Sequence, residues 1–153
     1  MEQPLSPQQF TLRPATAGDA STIRQIISSV HINPTGLNWR RFILAVDTHG
    51  SLIGCGQVKS HRDGSLELAS IAVVPAWRGS GIARVIIEHL LKEHPGRLYL
   101  TCRAPLGALY QKFGFIAMSS NELPPYFRRL RRLVSLYQRL FRQPDQLLIM
   151  RRH

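Results

Sequence analysis

Arg78-Gly79-Ser80-Gly81 is the stretch of this chain whose residue types and spacing point most directly to chemistry. It follows an apolar run that stops at Pro75. It precedes a segment with Ile82, Val85, Ile86, His89 and Leu90 at i, i+3, i+4, i+7 and i+8. A strand, a glycine turn and a helix in that order leave backbone N–H groups without partners at the helix start, aimed along the positive end of its dipole. Such a turn is a cradle for phosphate. Glycines at 79 and 81 let an anion reach the main chain without meeting a Cβ.

Two familiar phosphate loops do not fit. A dinucleotide-binding loop needs a small residue where Arg84 stands and an acid near position 99, where Tyr99 stands. A P-loop needs Gly-Lys followed by Ser or Thr, which is absent. The histidines at 31, 49, 61, 89, 94 and 153 lack metal-ligand spacing, since His89 and His94 are five apart rather than four. Each is read as structural or solvent-facing. Cys55 and Cys102 are too few for a disulfide scaffold and have no CxxC spacing, so both are expected to be reduced, buried thiols in a cytoplasmic protein.

The chain has 153 residues, 44% hydrophobic and 19% charged, enough for one domain spanning 1–153 with a real core. No apolar run approaches the roughly 20 residues that span a bilayer. The first ten residues, MEQPLSPQQF, hold an acid, two prolines and no basic region, so no signal peptide is expected. Phe10–Arg13 reads as a strand, and Pro14–Asp19 turns into a helix capped by Asp19 or Ser21, with Ile23, Ile26, Ile27 and Val30 on one face. After a loop at Asn33–Asn38, strands at Phe42–Val46 and Leu52–Lys59 flank a hairpin turn. Arg62-Asp63-Gly64 turns into Leu66–Val74, apolar on both faces like a central strand. The helix after the glycines stops at His94-Pro95-Gly96. A strand at Leu98–Cys102, a short helix at Pro105–Lys112, a strand at Phe115–Met118, a basic amphipathic helix and a strand at Gln146–Met150 complete a mixed α/β layer.

The stretch IAVVPAWRGSGIA, Ile71 to Ala83, resembles the pyrophosphate loop of the GNAT superfamily of coenzyme A-dependent N-acetyltransferases, Gln/Arg-x-x-Gly-x-Gly/Ala after a strand. Gly79 and Gly81 are in place, while Ala76 stands where Gln or Arg is usual. A second block, Leu109-Tyr110-Gln111-Lys112-Phe113-Gly114-Phe115, is similar to the family's Leu-Tyr-x-Lys-x-Gly-Phe and lies about thirty residues on, with one strand between. The likeness runs from Phe10 to Met118.

That resemblance implies a GNAT fold of the α/β (α+β mixed) class: a mixed, mostly antiparallel sheet of six to seven strands, about four flanking helices, and the basic helix before the last strand. It implies an acetyltransferase that holds acetyl-CoA between two splayed central strands. The acetyl group would pass directly to a primary amine, on a small molecule or on a protein N-terminus or lysine, in a ternary complex. Backbone amides of Arg78, Gly79, Ser80, Gly81, Ile82, Ala83 and Arg84 would hold the pyrophosphate. Main-chain groups of Ile71, Ala72, Val73 and Val74 would pair with the pantetheine arm, one N–H polarising the thioester carbonyl. Tyr110, whose ordinary pKa of about 10 keeps it protonated, would give a proton to the departing thiolate. Glu67, four residues before Ile71, would be the base that takes the amine's proton; its alternatives are a sheet-edge or substrate-binding carboxylate, or a base reached through ordered water. His61 is a second candidate base, and otherwise a loop histidine. Direct transfer needs neither a metal nor a cysteine nucleophile at Cys55. Arg103 stands where many relatives have Asn.

The net charge is +11, and six of those charges are arginines within Phe127–Arg142, where there is no acid. The remaining +5 suits a polyanionic cosubstrate. Phe127, Leu130, Leu133, Val134, Tyr137, Leu140 and Phe141 form an apolar stripe with arginines opposite. One reading is a helix docked on the sheet with a solvated basic face. The other is a contact with an anionic surface, whether membrane, RNA, ribosome or acidic protein, or a part in the acceptor site. The competing function is a non-catalytic CoA-binding module that uses the arginine helix for recognition.

Overall fold

A computed structural model describes residues 9–141 and 146–153; the first eight residues and Arg142 lie outside them. By contacts the described residues divide into two compact units, one built from those up to 58 and from 70–93, the other from 59–69 and those from 94 onward. Among the described residues, seven strands form one sheet in the order β1-β2-β3-β4-β5-β7-β6. Their ranges are β1 Phe10–Pro14, β2 Phe42–Asp47, β3 Leu52–Ser60, β4 Leu66–Val73, β5 Leu98–Arg103, β6 Ile116–Ala117 and β7 Leu147–Arg152. The sheet is mostly antiparallel, with β4 and β5 parallel, and among the described residues four α-helices accompany it. This is the mixed architecture expected from the sequence.

In the first unit, α1 (Ala20–Ser29) buries Ile23, Ile26 and Ile27 against Phe42, Leu44, Cys55 and Ala72. Neither Asp19 nor Ser21 caps it with a side chain. A 3₁₀ turn at Ala17–Asp19 precedes the helix, so Asp19 is already helical. Its carboxylate instead accepts from Arg13 at 2.8 and 2.9 Å and from the Thr16 amide at 2.8 Å. The helix after the glycines, α2 (Ile82–Glu93), presses onto β3 at two glycines. A Cβ on Gly54 would come within 2.8 Å of Ile82, and one on Gly56 within 2.7 Å of Ile86. Those contacts fix how closely the start of α2 approaches the strand; a methyl there would overpack a filled site.

In the second unit, β7 pairs with the whole of β5, from Leu98 opposite Arg152 to Arg103 opposite Leu147. That pairing carries β7 two residues past the expected end at Met150. The expected strand at Phe115–Met118 shortens to β6, which pairs with β7 at two positions. Helices α3 (Gly107–Gln111) and α4 (Pro125–Phe141) complete the unit. Gly107 lets α3 approach β7, since a Cβ would meet Leu148 at 2.8 Å. Phe127, on the first turns of α4, packs with Tyr99, Met118, Leu123 and Ile149.

Candidate active site

The glycine turn of the first unit is shaped by its backbone. Val74 N–H donates to Ile53 O at 2.9 Å, and Pro75–Trp77 then forms a 3₁₀ turn closed by Trp77 N–H to Val74 O. The Arg78 amide is engaged with Pro75 O, and its side chain donates to Val73 O at 3.3 Å. Ser80 Oγ donates to Trp77 O. Gly79 and Gly81 have φ of 79° and 85°, in the left-handed region that a side chain disfavours. A Cβ at either would meet no atom within 4 Å, so the backbone angle, not space, requires glycine. Among the described residues no acceptor pairs with the amides of Gly79, Ser80, Gly81, Ile82, Ala83 or Arg84. Six consecutive N–H groups at a helix head fit a phosphate-bearing ligand. The Arg84 side chain turns to Glu88 at 2.9 Å, leaving only its amide to the turn.

Immediately before the turn, β4 carries Ile71 and Val73 half-buried and Ala72 buried, and Val74, half-buried, follows it. Ser70 is a residue the sequence did not single out. It is buried inside a strand yet has φ of 58°, a conformation that costs a non-glycine residue about 1–3 kcal/mol and persists where the surroundings hold it. Gln57 Nε2 holds it, donating to Ser70 Oγ at 2.9 Å. Burial pushes the Cys55 thiol up to about 12, in agreement with its reading as an inert packing residue.

The second unit gathers side chains around Glu67, which is only 6% exposed. His61 Nε2 lies 2.7 Å from Glu67 Oε2. Among the described residues Oε1 has no hydrogen-bond partner. The imidazole is stacked face to face on Tyr126, with centroids 3.5 Å apart and 14° between planes, and meets the edge of Phe127. Burial raises the Tyr126 phenol above its usual range, and the charges of Glu67 and Asp63 raise it further. Asp63, read from the sequence only as a turn residue, caps α4: its Oδ2 accepts from the Tyr126 amide at 2.9 Å, and its Oδ1 from Ser65. Partial burial opposes its charge, but those hydrogen bonds and His61 outweigh it and hold the carboxyl below the ordinary range. The structure therefore brings Glu67 and His61 together as a pair, with Tyr126 stacked on the imidazole. The one sequence cue to Tyr126 was its place behind Pro124-Pro125 at the head of a helix.

Tyr110 sits half-buried on α3, edge-on to Phe115. Burial pushes its phenol up to about 12, with a smaller push from the Cys102 thiol. Among the described residues its hydroxyl has no hydrogen-bond partner. A neutral phenol with a proton to give is a general acid at any pH near 7. No group of three or more His, Cys, Asp or Glu among the described residues is arranged to hold a metal.

Comparison with known proteins identifies the family. Residues 38–117, just over half of the chain, match the model of the acetyltransferase (GNAT) domain. A β-lysine N(6)-acetyltransferase of Methanosarcina mazei is 26% identical over an alignment that covers 71% of this chain and 47% of the relative. The chain thus spans about half the length of the curated relative it matches. The N-acetylglutamate synthase of Neisseria gonorrhoeae, solved with coenzyme A and N-acetyl-glutamate, superposes with a TM-score of 0.72 at 21% identity, over 97% of this chain and 36% of that one. Rv2747 of Mycobacterium tuberculosis, also solved with CoA, gives 0.71 at 20% identity, over 93% and 98% of the two chains. At such identity the two structures speak for the fold, and the domain match for descent: the chain belongs to the GNAT acetyltransferase family.

Proposed function

We propose that the chain is a single N-acetyltransferase domain that moves the acetyl group of acetyl-CoA directly to a primary amine, on a small molecule or on a protein. The observation that carries this reading is the run of unpaired amides from Gly79 to Arg84 on left-handed glycines, within a chain of the GNAT family. Relatives solved with coenzyme A support the choice of donor.

In this reading the amides from Gly79 to Arg84 bind the pyrophosphate, and main-chain groups of Ile71, Ala72 and Val73 take the pantetheine arm. Val74 N–H and the Arg78 amide, both engaged within the protein, support the turn. A backbone N–H aimed at the thioester oxygen lowers the barrier by a few kcal/mol as negative charge develops there. Glu67 accepts the proton of the attacking amine through Oε1, while His61 holds Oε2 and so fixes the carboxylate plane. The C–N bond forms, the C–S bond breaks, and Tyr110 gives its proton to the departing thiolate. Tyr126, stacked on His61 beside Glu67, contributes to the acceptor's surroundings. A cytoplasmic location goes with this reading, since both cysteines are buried free thiols.

The test is acetyl-CoA binding by calorimetry together with mass-spectrometric detection of transfer to a panel of primary amines. Tyr110→Phe is expected to keep the binding and to lose about a hundredfold in kcat, the usual worth of a positioned acid. Binding with no transfer to any amine would overturn the enzymatic reading and leave a CoA-binding module.

A further inference from the structure

Beyond its first turns, α4 presents a surface that neither the core nor the proposed reaction uses. Phe127 is buried, and Leu130 and Val134 are half-buried. Leu133, Leu136, Tyr137, Leu140 and Phe141 are instead between 52% and 69% exposed. Spacings of three and four residues set them side by side over successive turns, and the rings of Tyr137 and Phe141 lie 4.6 Å apart. The docked-helix reading of the apolar stripe therefore holds only for the start of α4. A continuous row of large apolar side chains in water marks a contact surface.

Beside that row runs a second one. Arg128, Arg132 and Arg139 line a groove of about 670 Å³ together with Ser135 and Leu136. Among the described residues none of these three arginine side chains has an ion pair or hydrogen bond, and α4 contains no acid. A planar guanidinium binds phosphate oxygens through two N–H groups at once. Arginines in a row along an apolar row complement one kind of surface, in which phosphates lie over hydrocarbon. RNA would engage the arginines and leave five apolar side chains in water. A second copy of the chain would cover the apolar row and bring two acid-free arginine rows together.

We propose that α4 docks in the plane of an anionic phospholipid surface. Leu133, Leu136, Tyr137, Leu140 and Phe141 enter the boundary between headgroups and acyl chains, and Arg128, Arg132 and Arg139 bind the lipid phosphates. The helix lies on the membrane; among the described residues no helix is long and apolar enough to cross one.

The experiment is flotation of the full chain with vesicles of phosphatidylcholine containing phosphatidylglycerol, against vesicles of phosphatidylcholine alone. Binding to the anionic vesicles alone, lost at high salt, is the expected result. Arg132→Gln with Arg139→Gln is expected to weaken it about twenty-five-fold, at about fivefold for each arginine. Leu133→Ser with Leu140→Ser is expected to weaken it at least tenfold, while far-ultraviolet circular dichroism stays unchanged. Equal binding to both kinds of vesicle, or none, would overturn the proposal. So would binding of single-stranded RNA that survives the serine changes, which would make the surface a nucleic-acid site. Dimerisation in light scattering that the serine changes abolish would assign the surface to a second copy.

Discussion

At the head of α2 the chain offers main chain: six consecutive amides, two left-handed glycines and a short turn closed by its own carbonyls. Around Glu67 it offers side chains: an imidazole at 2.7 Å, a phenol ring stacked on that imidazole, and an aspartate capping the helix that carries the phenol. The first arrangement needs particular residues only where the backbone leaves the ordinary φ range. The second needs a particular residue at every position, because each orients the next. One region is specified by conformation and the other by contact, and the two should fail differently.

Glu67→Gln tests the contact-built region most severely. The amide keeps the shape and a hydrogen bond to His61 but cannot take a proton. Loss of a general base is expected to lower kcat/KM by about 10²–10⁴ while the Kd for acetyl-CoA stays as it was. A fall in cofactor affinity instead would show that the carboxylate is structural, and would erase the distinction between the two regions.

Gly79→Val with Gly81→Val is the matching test of the conformation-built region. Each change puts a β-branched residue at positive φ, where a side chain costs about 1–2 kcal/mol. If the turn relaxes to escape that strain, its amides turn away. The expected outcome is an acetyl-CoA Kd raised about thirtyfold with kcat at saturation nearly unchanged. A variant that binds as before would mean that the amides of this turn do not hold the cofactor.

The same division explains what could be read from the sequence. The glycine turn and the elements on either side lie within one continuous stretch, so apolar periodicity and two glycines were enough to place them. Tyr110 came within a similar local block. Asp63 caps a helix whose first residues lie sixty-three positions away, and no local pattern announces such a contact. The stacking of His61 on Tyr126 was hidden for the same reason. Ser70 reads as an ordinary polar residue in an apolar strand, because its left-handed backbone is imposed by what surrounds it. On α4 the spacing disclosed an apolar face but not its cover, and Leu133 and Leu140 are exposed.

His61 separates positioning from proton transfer within the contact-built region. His61→Ala leaves a buried carboxylate without its partner and removes the ring under Tyr126. A loss of about tenfold in kcat/KM is expected, with cofactor affinity intact. His61→Gln places an amide nitrogen close to the position of Nε2, and it is expected to recover most of that loss. Recovery would show that the hydrogen bond to Glu67 is what matters. Failure of Gln together with a bell-shaped pH profile that collapses to a single limb would make His61 itself the base.

The smallest expected effect concerns Tyr110 in alkali. Burial disfavours the phenolate and pushes its phenol from an ordinary value of about 10 up to about 12 in the folded chain. A raised value means that the native state holds the proton more tightly than the unfolded chain does. The stability this contributes is fully present below pH about 10 and is lost as the pH climbs from there through about 12. That displacement corresponds to at most about 2.7 kcal/mol, which the remaining solvent contact of a half-buried ring reduces to about 1 kcal/mol. The unfolding free energy of the wild-type chain from urea titration is therefore expected to fall between pH 10 and 12, and that of Tyr110→Phe to fall less by that amount. Parallel curves would mean that the hydroxyl is well solvated. A solvated phenol would still be protonated at pH 7, so its place as general acid would then rest on the loss of kcat in Tyr110→Phe alone.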